Sequence, residues 1–333
     1  MSKHLVMKSN IETLDPQKNQ LIALKQLESS IGNTKLHKLN FSFGNLYTKL
    51  ESQNIFGSIK DRAAYYIIKK AIDDNLIGKD STIIESTSGN FGVSLANISN
   101  ALGINFIPVI DPNISKEKEA HLKLLCPKLI KVTERDETGG YLLNRIKAVE
   151  KYVSEYPNVF NPNQYENSNN YLAYYHSLGE EICNSFSRLD YAFISVSTGG
   201  TITGVSMRLK EKFKDIVIIA VDVKGSMIFC NEPKIRKITG MGASKRSVLF
   251  NNAMIDDYVI LPEPDIVKGC HDLLLRHNLF LGASSGAAFF AAKTILGKLN
   301  KPNVNAVFIS PDAGYAYLDS IFNNEWLTKN NLI

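Results

Sequence analysis

Paired cysteines are missing from this sequence. Cys126, Cys183, Cys230 and Cys270 stand far apart, with no C-x-x-C pair and no histidine rhythm nearby. A disulfide scaffold or zinc ribbon is therefore not expected, and the thiols read as isolated buried groups. His4, His37, His121, His176, His271 and His277 show no ligand spacing, so no metal is assigned. Long apolar runs are missing too. The longest fairly apolar stretch, Leu279 to Ala292, falls short of the roughly 20 residues that span a bilayer. Met1 to Gln20 lacks the apolar core of a signal peptide. A soluble cytoplasmic protein without membrane contact is expected. Nor does charge of one sign dominate. A net charge of +5 over 333 residues is no nucleic-acid footprint, though it mildly favours small anions. No solenoid repeat or low-complexity linker is visible.

What is present is alternation. Apolar β-branched runs predict strands at Thr82–Ile84, Asn105–Ile110, Leu129–Val132, Tyr191–Val196, Val217–Val221, Tyr258–Leu261 and Ala306–Ile309. Amphipathic stretches between them predict helices at Asp61–Ala71, Tyr141–Tyr152, Tyr171–Cys183 and Ile266–Arg276. This order implies an α/β protein whose mostly parallel sheets carry helices on both faces. The length suits two domains, with the polar stretch Asn161 to Asn170 as their connection and a ligand cleft between them.

Three glycine-rich turns each follow a strand and open a helix. They are Glu85-Ser86-Thr87-Ser88-Gly89-Asn90-Phe91-Gly92, Ser197-Thr198-Gly199-Gly200-Thr201 and Gly282-Ala283-Ser284-Ser285-Gly286. Such turns aim backbone N–H groups and a helix dipole at an anion. None has the dinucleotide G-x-G-x-x-G or the ATP-binding G-x-x-x-x-G-K-S/T pattern. Taken singly, each also reads as a hydroxyl-rich helix cap. Lys60, in Ser58-Ile59-Lys60-Asp61-Arg62, opens another helix. It is either a solvated cation or, if buried at a cationic helix end, an amine ready to form a Schiff base.

Together these motifs resemble the fold-type II pyridoxal-phosphate enzymes, the cysteine synthase and cystathionine β-synthase superfamily. The match runs in order through Ile31-Gly32-Asn33-Thr34, Lys49-Leu50-Glu51, Gly57 to Arg62, Ser86 to Gly92, Ser197 to Thr201, Gly240-Met241-Gly242-Ala243, Ser284-Ser285-Gly286 and Pro311-Asp312-Ala313-Gly314. The resemblance implies two three-layer α/β/α domains. Residues 1–165 would carry the Schiff-base lysine and the substrate-carboxylate loop, with the first 50 or so packing on the second domain. Residues 166–333 would carry the phosphate loop. It further implies pyridoxal 5'-phosphate held by Lys60 as an internal aldimine. Asn90 would meet the ring oxygen, Ser197, Thr198, Gly199, Gly200 and Thr201 the phosphate, and Ser284 the pyridine nitrogen. Ser86, Thr87, Ser88 and Asn90 would bind the substrate carboxylate. Lys60 would also remove the Cα proton. Loss of the β-substituent would leave an aminoacrylate for a nucleophile to attack, in a homodimer acting on small amino acids.

Within the superfamily, the segments 84–90, 138–145, 161–165 and 221–226 look like the siderophore-pathway branch, which leads to 2,3-diaminopropionate. Those enzymes, the N-(2-amino-2-carboxyethyl)-L-glutamate synthases, join O-phospho-L-serine to the amine of L-glutamate and release phosphate. Arg145, Tyr165 and Ser197 would read that phosphate, since a guanidinium fork and two hydroxyls suit it. The chain departs from cysteine synthases at Lys35, Ile55 and Ser197, where proline, proline and glycine are usual. Ala316 stands where the siderophore branch often has arginine, a departure that weakens the case for a second-substrate contact at that turn and for glutamate as the amine donor. The alternative is a cysteine synthase using sulfide with O-acetylserine or O-phosphoserine. A non-catalytic ligand sensor on the same fold is disfavoured by the retention of Lys60, Asn90 and Ser284.

Overall fold

The computed structural model describes residues 16–41, 44–87, 89–299, 301 and 303–333. Two sheets organise it. In the first half lie α1 (Pro16–Ser30), β1 (Leu36–Phe41), β2 (Gly44–Leu50), α2 (Lys60–Asp73), β3 (Thr82–Ser86), α3 (Asn90–Leu102), β4 (Asn105–Ile110), α4 (Lys116–Leu125), β5 (Ile130–Lys131), α5 (Leu142–Glu155) and β6 (Val159–Phe160). The second half holds α6 (Asn169–Tyr174), α7 (Glu180–Ser185), β7 (Tyr191–Ser195), α8 (Gly200–Lys212), β8 (Val217–Val223), β9 (Asp257–Leu261), α9 (Glu263–His277), α10 (Ala283–Leu299), β10 (Val304–Ser310) and α11 (Asn324–Lys329).

The six-stranded sheet runs β1-β2-β10-β7-β8-β9, and the four-stranded sheet β5-β4-β3-β6. Every pairing is parallel except the β1–β2 hairpin at the edge. The six-stranded sheet is buried on both faces. Ala192 and Ile194 of β7 and Val307 and Ile309 of β10 face one core, shared with α2, α3, α6 and α8. Phe193 and Phe308, one position out of phase, face a second core with α9 and α10. This period-two split explains why β7 and β10 read as continuous apolar runs. Ile83 and Phe106 of the smaller sheet join the first core, which is thus continuous across both sheets. Ile84, Ile107 and Val109 point the other way, onto Val149 of α5.

The expected strands appear, with Leu129–Val132 shortened to β5. β1, β2 and β6 were not expected. The stretch Tyr171–Cys183 is helical but carries a π-helical turn at Tyr175–Gly179, between α6 and α7. Among the described residues, no helix is long and apolar enough to cross a membrane.

Candidate active site

Parallel strands deliver their carboxyl ends, and the helix starts that follow them, to one crevice. β3 ends at Ser86 and α3 begins at Asn90, β7 ends at Ser195 and α8 begins at Gly200, and β10 runs into Pro311 and Asp312. Lys60 opens α2 beside that last turn. The Ile59 amide donates to Pro311 O (2.8 Å), and Ser58 forms a β-bridge with Asp312. Asp61 fastens the same corner. Its carboxylate accepts from the Phe56 amide (2.8 Å) and from Ser94 Oγ of α3 (2.5 Å). Burial pushes the Asp61 carboxyl up to about 6, against those two hydrogen bonds.

A cavity of about 260 Å³ opens at this crevice. Lys60, Thr87, Asn90, Arg145, Tyr165, Ser197 and Thr198 line it together. Burial lowers the Lys60 ammonium from 10.5 to about 8, and the Asp312 carboxylate offsets this only partly. Asn90 Nδ2 donates to Asp312 Oδ2 (2.7 Å), which also accepts from Tyr317 OH (3.1 Å). Thr87 Oγ1 accepts from the Gly92 amide (2.9 Å) and so shapes the first turn of α3. Ser86 is buried behind this turn, and its hydroxyl has no partner among the described residues. Ser88 lies outside the described residues.

The turn before α8 has the form of an anion cradle. Gly199 takes a left-handed φ of 92°, and a Cβ there would meet the Phe250 ring at 2.9 Å. Gly200 begins the helix, and a Cβ there would strike Asn170 Oδ1 at 2.2 Å. Gly199, Gly200 and Thr201 thus present the first backbone N–H groups of a 13-residue helix. Thr198 Oγ1 is buried without a partner among the described residues, and Ser197 Oγ donates to Gly242 O (3.2 Å). Ser284 is buried at the start of α10. Its carbonyl accepts from Ser195 Oγ (2.6 Å), and the hydroxyl left without a partner among the described residues is that of its neighbour Ser285.

Arg145 reaches the cavity from α5 and is only 6% exposed. Its Nε lies 3.1 Å from Asp111 Oδ2, close enough for an ion pair but not aligned as a hydrogen bond. Tyr165 is within reach of the Arg145 charge, and burial raises its phenol. Beneath them Glu85 is pushed up to about 8 by burial, against the Gln164 amide and Arg145. Sequence reasoning missed Asp111, Lys118, Asn170, Arg236 and Tyr317. No motif marks the first four, and Tyr317 lay just beyond the Pro311–Gly314 pattern.

The buried orphan hydroxyl of Thr198, the bare helix start after it and the half-buried Lys60 amine fit a phosphate-bearing aldehyde. Residues 27–312 match the model of the family described as "Pyridoxal-phosphate dependent enzyme". An N-(2-amino-2-carboxyethyl)-L-glutamate synthase of Ralstonia nicotianae is 36% identical over 310 residues, covering 92% of this chain and 91% of that protein. The O-acetylserine-dependent cystathionine β-synthase of Helicobacter pylori superposes with a TM-score of 0.81 at 29% identity, over 88% of this chain and 97% of that one. A hydrogen sulfide-producing enzyme of Fusobacterium nucleatum gives 0.82 at 30% identity, over 88% and 99%.

Proposed function

Because the chain belongs to the pyridoxal-phosphate dependent enzyme family, we propose that its cavity joins O-phospho-L-serine to the amine of L-glutamate. The products would be N-(2-amino-2-carboxyethyl)-L-glutamate and phosphate. The broader class, β-replacement of the cysteine synthase type, is common to the chain's relatives. The observation that carries the finer reading is Arg145, buried on the same cavity wall system as Tyr165, Ser197 and Lys60. A departing phosphate needs charge-assisted donors, and a guanidinium with two hydroxyls supplies them.

Lys60 would hold the cofactor, with the 197–201 turn on its phosphate, Asn90 at its ring oxygen and Ser284 at its ring nitrogen. When bound, the cofactor supplies a sink for negative charge developing at the substrate Cα. An uncharged serine at the ring nitrogen limits how much of that charge is stored, which favours expelling the β-group. The turn from Ser86 to Asn90 would take the substrate carboxylate at the α3 N-terminus. The Lys60 amine, with its proton affinity lowered by burial, is suited to take the Cα proton at Nζ. Arg145 and Tyr165 would steady the leaving phosphate, and Ser197 would join them by turning its hydroxyl away from Gly242 O. A homodimer in the cytoplasm, serving 2,3-diaminopropionate and siderophore synthesis, is the setting this reading suggests.

Mass spectrometry of products made from phosphoserine with a panel of nucleophiles tests it. The expected product with L-glutamate is the secondary amine conjugate. Cysteine from sulfide, with no conjugate from glutamate, would replace the proposal by the sulfhydrylase alternative.

A further inference from the structure

The cavity holds more positive charge than the proposed first substrate uses. Lys60, Lys118, Arg135, Arg145, Lys234 and Arg236 line it, and Asp111 is the one carboxylate among its described lining residues. Arg145 is paired with Asp111, and Lys60 is the reactive amine. Arg135 and Lys234 are exposed, and Arg135 lies over the Tyr141 ring while donating to Gly139 O. Water screens those two. Lys118 and Arg236 remain, both half-buried.

Neither has a carboxylate in direct contact among the described residues. Lys118 Nζ has no hydrogen bond or ion pair among them, and Asp312 and, more weakly, Glu117 act on it from beyond ion-pair distance. Arg236 gives one Nη1 hydrogen to Met241 O (2.9 Å) and has no ion pair within 4 Å among the described residues. Asp222 and Glu263 influence it from farther away, and Glu263 Oε1 already accepts from the Lys237 and Ile238 amides (2.7 Å each). Taking a cation out of water without a partner is costly, so two such cations in one ligand cavity call for anions from outside. They also come from different parts of the fold. Lys118 sits on α4, beside the four-stranded sheet, and Arg236 on the segment between β8 and β9. The final turn, where Ala316 offers no charge, does not compete for this role.

We infer that Lys118 and Arg236 form the subsite for the amine co-substrate, and that this co-substrate carries two carboxylates, one for each cation. The inference rests on the β-replacement reading above and adds which residues select the nucleophile. A small neutral or singly charged nucleophile would leave at least one of the two cations unmet.

The test uses the cofactor-loaded protein, with Lys118→Met and Arg236→Gln beside wild type. Three quantities are measured: KM for L-glutamate and L-glutamine, KM for phosphoserine, and the calorimetric affinity of glutarate, an unreactive dicarboxylate. Each variant is expected to raise glutamate KM and weaken glutarate about tenfold, since a charge-assisted contact is lost. The preference for glutamate over glutamine should collapse in the variant that loses the side-chain carboxylate's partner. Phosphoserine KM should move far less. Lys118→Arg and Arg236→Lys should restore most of the loss, which a merely structural role would not predict. Where Lys118→Met fails to fold, Lys118→Gln takes its place. Unchanged glutamate KM and glutarate affinity in both variants would overturn the subsite, as would equal rises for glutamate and phosphoserine. If wild type makes no conjugate from glutamate but binds glutarate, and the variants lose that binding, the subsite stands and the substrate reading fails.

Discussion

Replacing Arg145 with methionine removes the guanidinium while keeping most of the stem volume. Arg145 is 6% exposed and lies 3.1 Å from Asp111, so water cannot take over its role. A hydrogen bond to a charged group contributes about 1.5–3 kcal/mol, and about 1.4 kcal/mol is tenfold. If Arg145 holds the phosphate of phosphoserine, its loss should raise KM for that substrate roughly 10- to 150-fold. Part of its charge already answers Asp111, which argues for the lower half of that range. O-Acetylserine offers a neutral leaving group to the same place, so its KM should change only a few-fold. The two substrates are compared by initial rates with one nucleophile, following phosphate or acetate release. The variant also strands a buried carboxylate at Asp111. Adding Asp111→Asn should therefore restore thermal stability without restoring phosphoserine KM. Equal KM factors for the two substrates would show that Arg145 does not read the phosphate.

Three further outcomes follow from buried charges. Burial lowers Lys60 to about 8, so cofactor uptake by the cofactor-free protein should speed up with pH and level off above about 8. Rates still climbing toward 10.5, the ordinary lysine value, would contradict the lowered amine. Glu85 is raised from 4.5 to about 8, so between these values the folded protein keeps a proton that the unfolded chain has lost. Stability should fall as pH rises across that window, and Glu85→Gln should flatten the fall in Tm; an unchanged slope would count against it. Arg62 Nε and Nη2 bond Glu51 at 2.6 and 2.9 Å, and Nη1 meets Glu181 at 2.6 Å. Arg62→Met, by stranding the buried Glu51, should cost about 3–5 kcal/mol, with Glu51→Gln recovering part of it. A melting temperature equal to that of wild type would sink this account.

The fold was legible where burial is two-sided. β7, β8 and β10 face cores on both sides and so read as unbroken apolar runs. β1 and β2 were not legible. β1 lies at the sheet edge, and its residues Leu36-His37-Lys38-Leu39 mix polar and apolar positions that solvent on one side permits. β6 has two residues and carries no period at all. The π turn at 175–179 lies where two helices crowd together. Helices α6 and α8 approach until a Cβ at Gly204 would lie 2.1 Å from Tyr171 O. No local pattern in Tyr171–Cys183 announces that contact.

The same distinction governs the proposed site. The turns at 86–90 and 197–201 stand out in the sequence because each is a contiguous device, in which a strand end, small residues and a helix start stand in order along the chain. Lys118, Arg236 and Asp111 belong to no such device. Each is an ordinary charged residue whose meaning depends on which others face it, and that is decided by the packing of α4, α5 and the segment after β8. The net charge of +5 illustrates the point. Spread over the surface it reads as weak, yet six cationic side chains and one described carboxylate line a single cavity. Low-dielectric walls strengthen that local excess, while charges elsewhere are paired or screened. Under the proposed function, selectivity for anionic substrates would therefore reside in placement rather than composition, and the excess that supports it becomes visible only once the two sheets are set side by side.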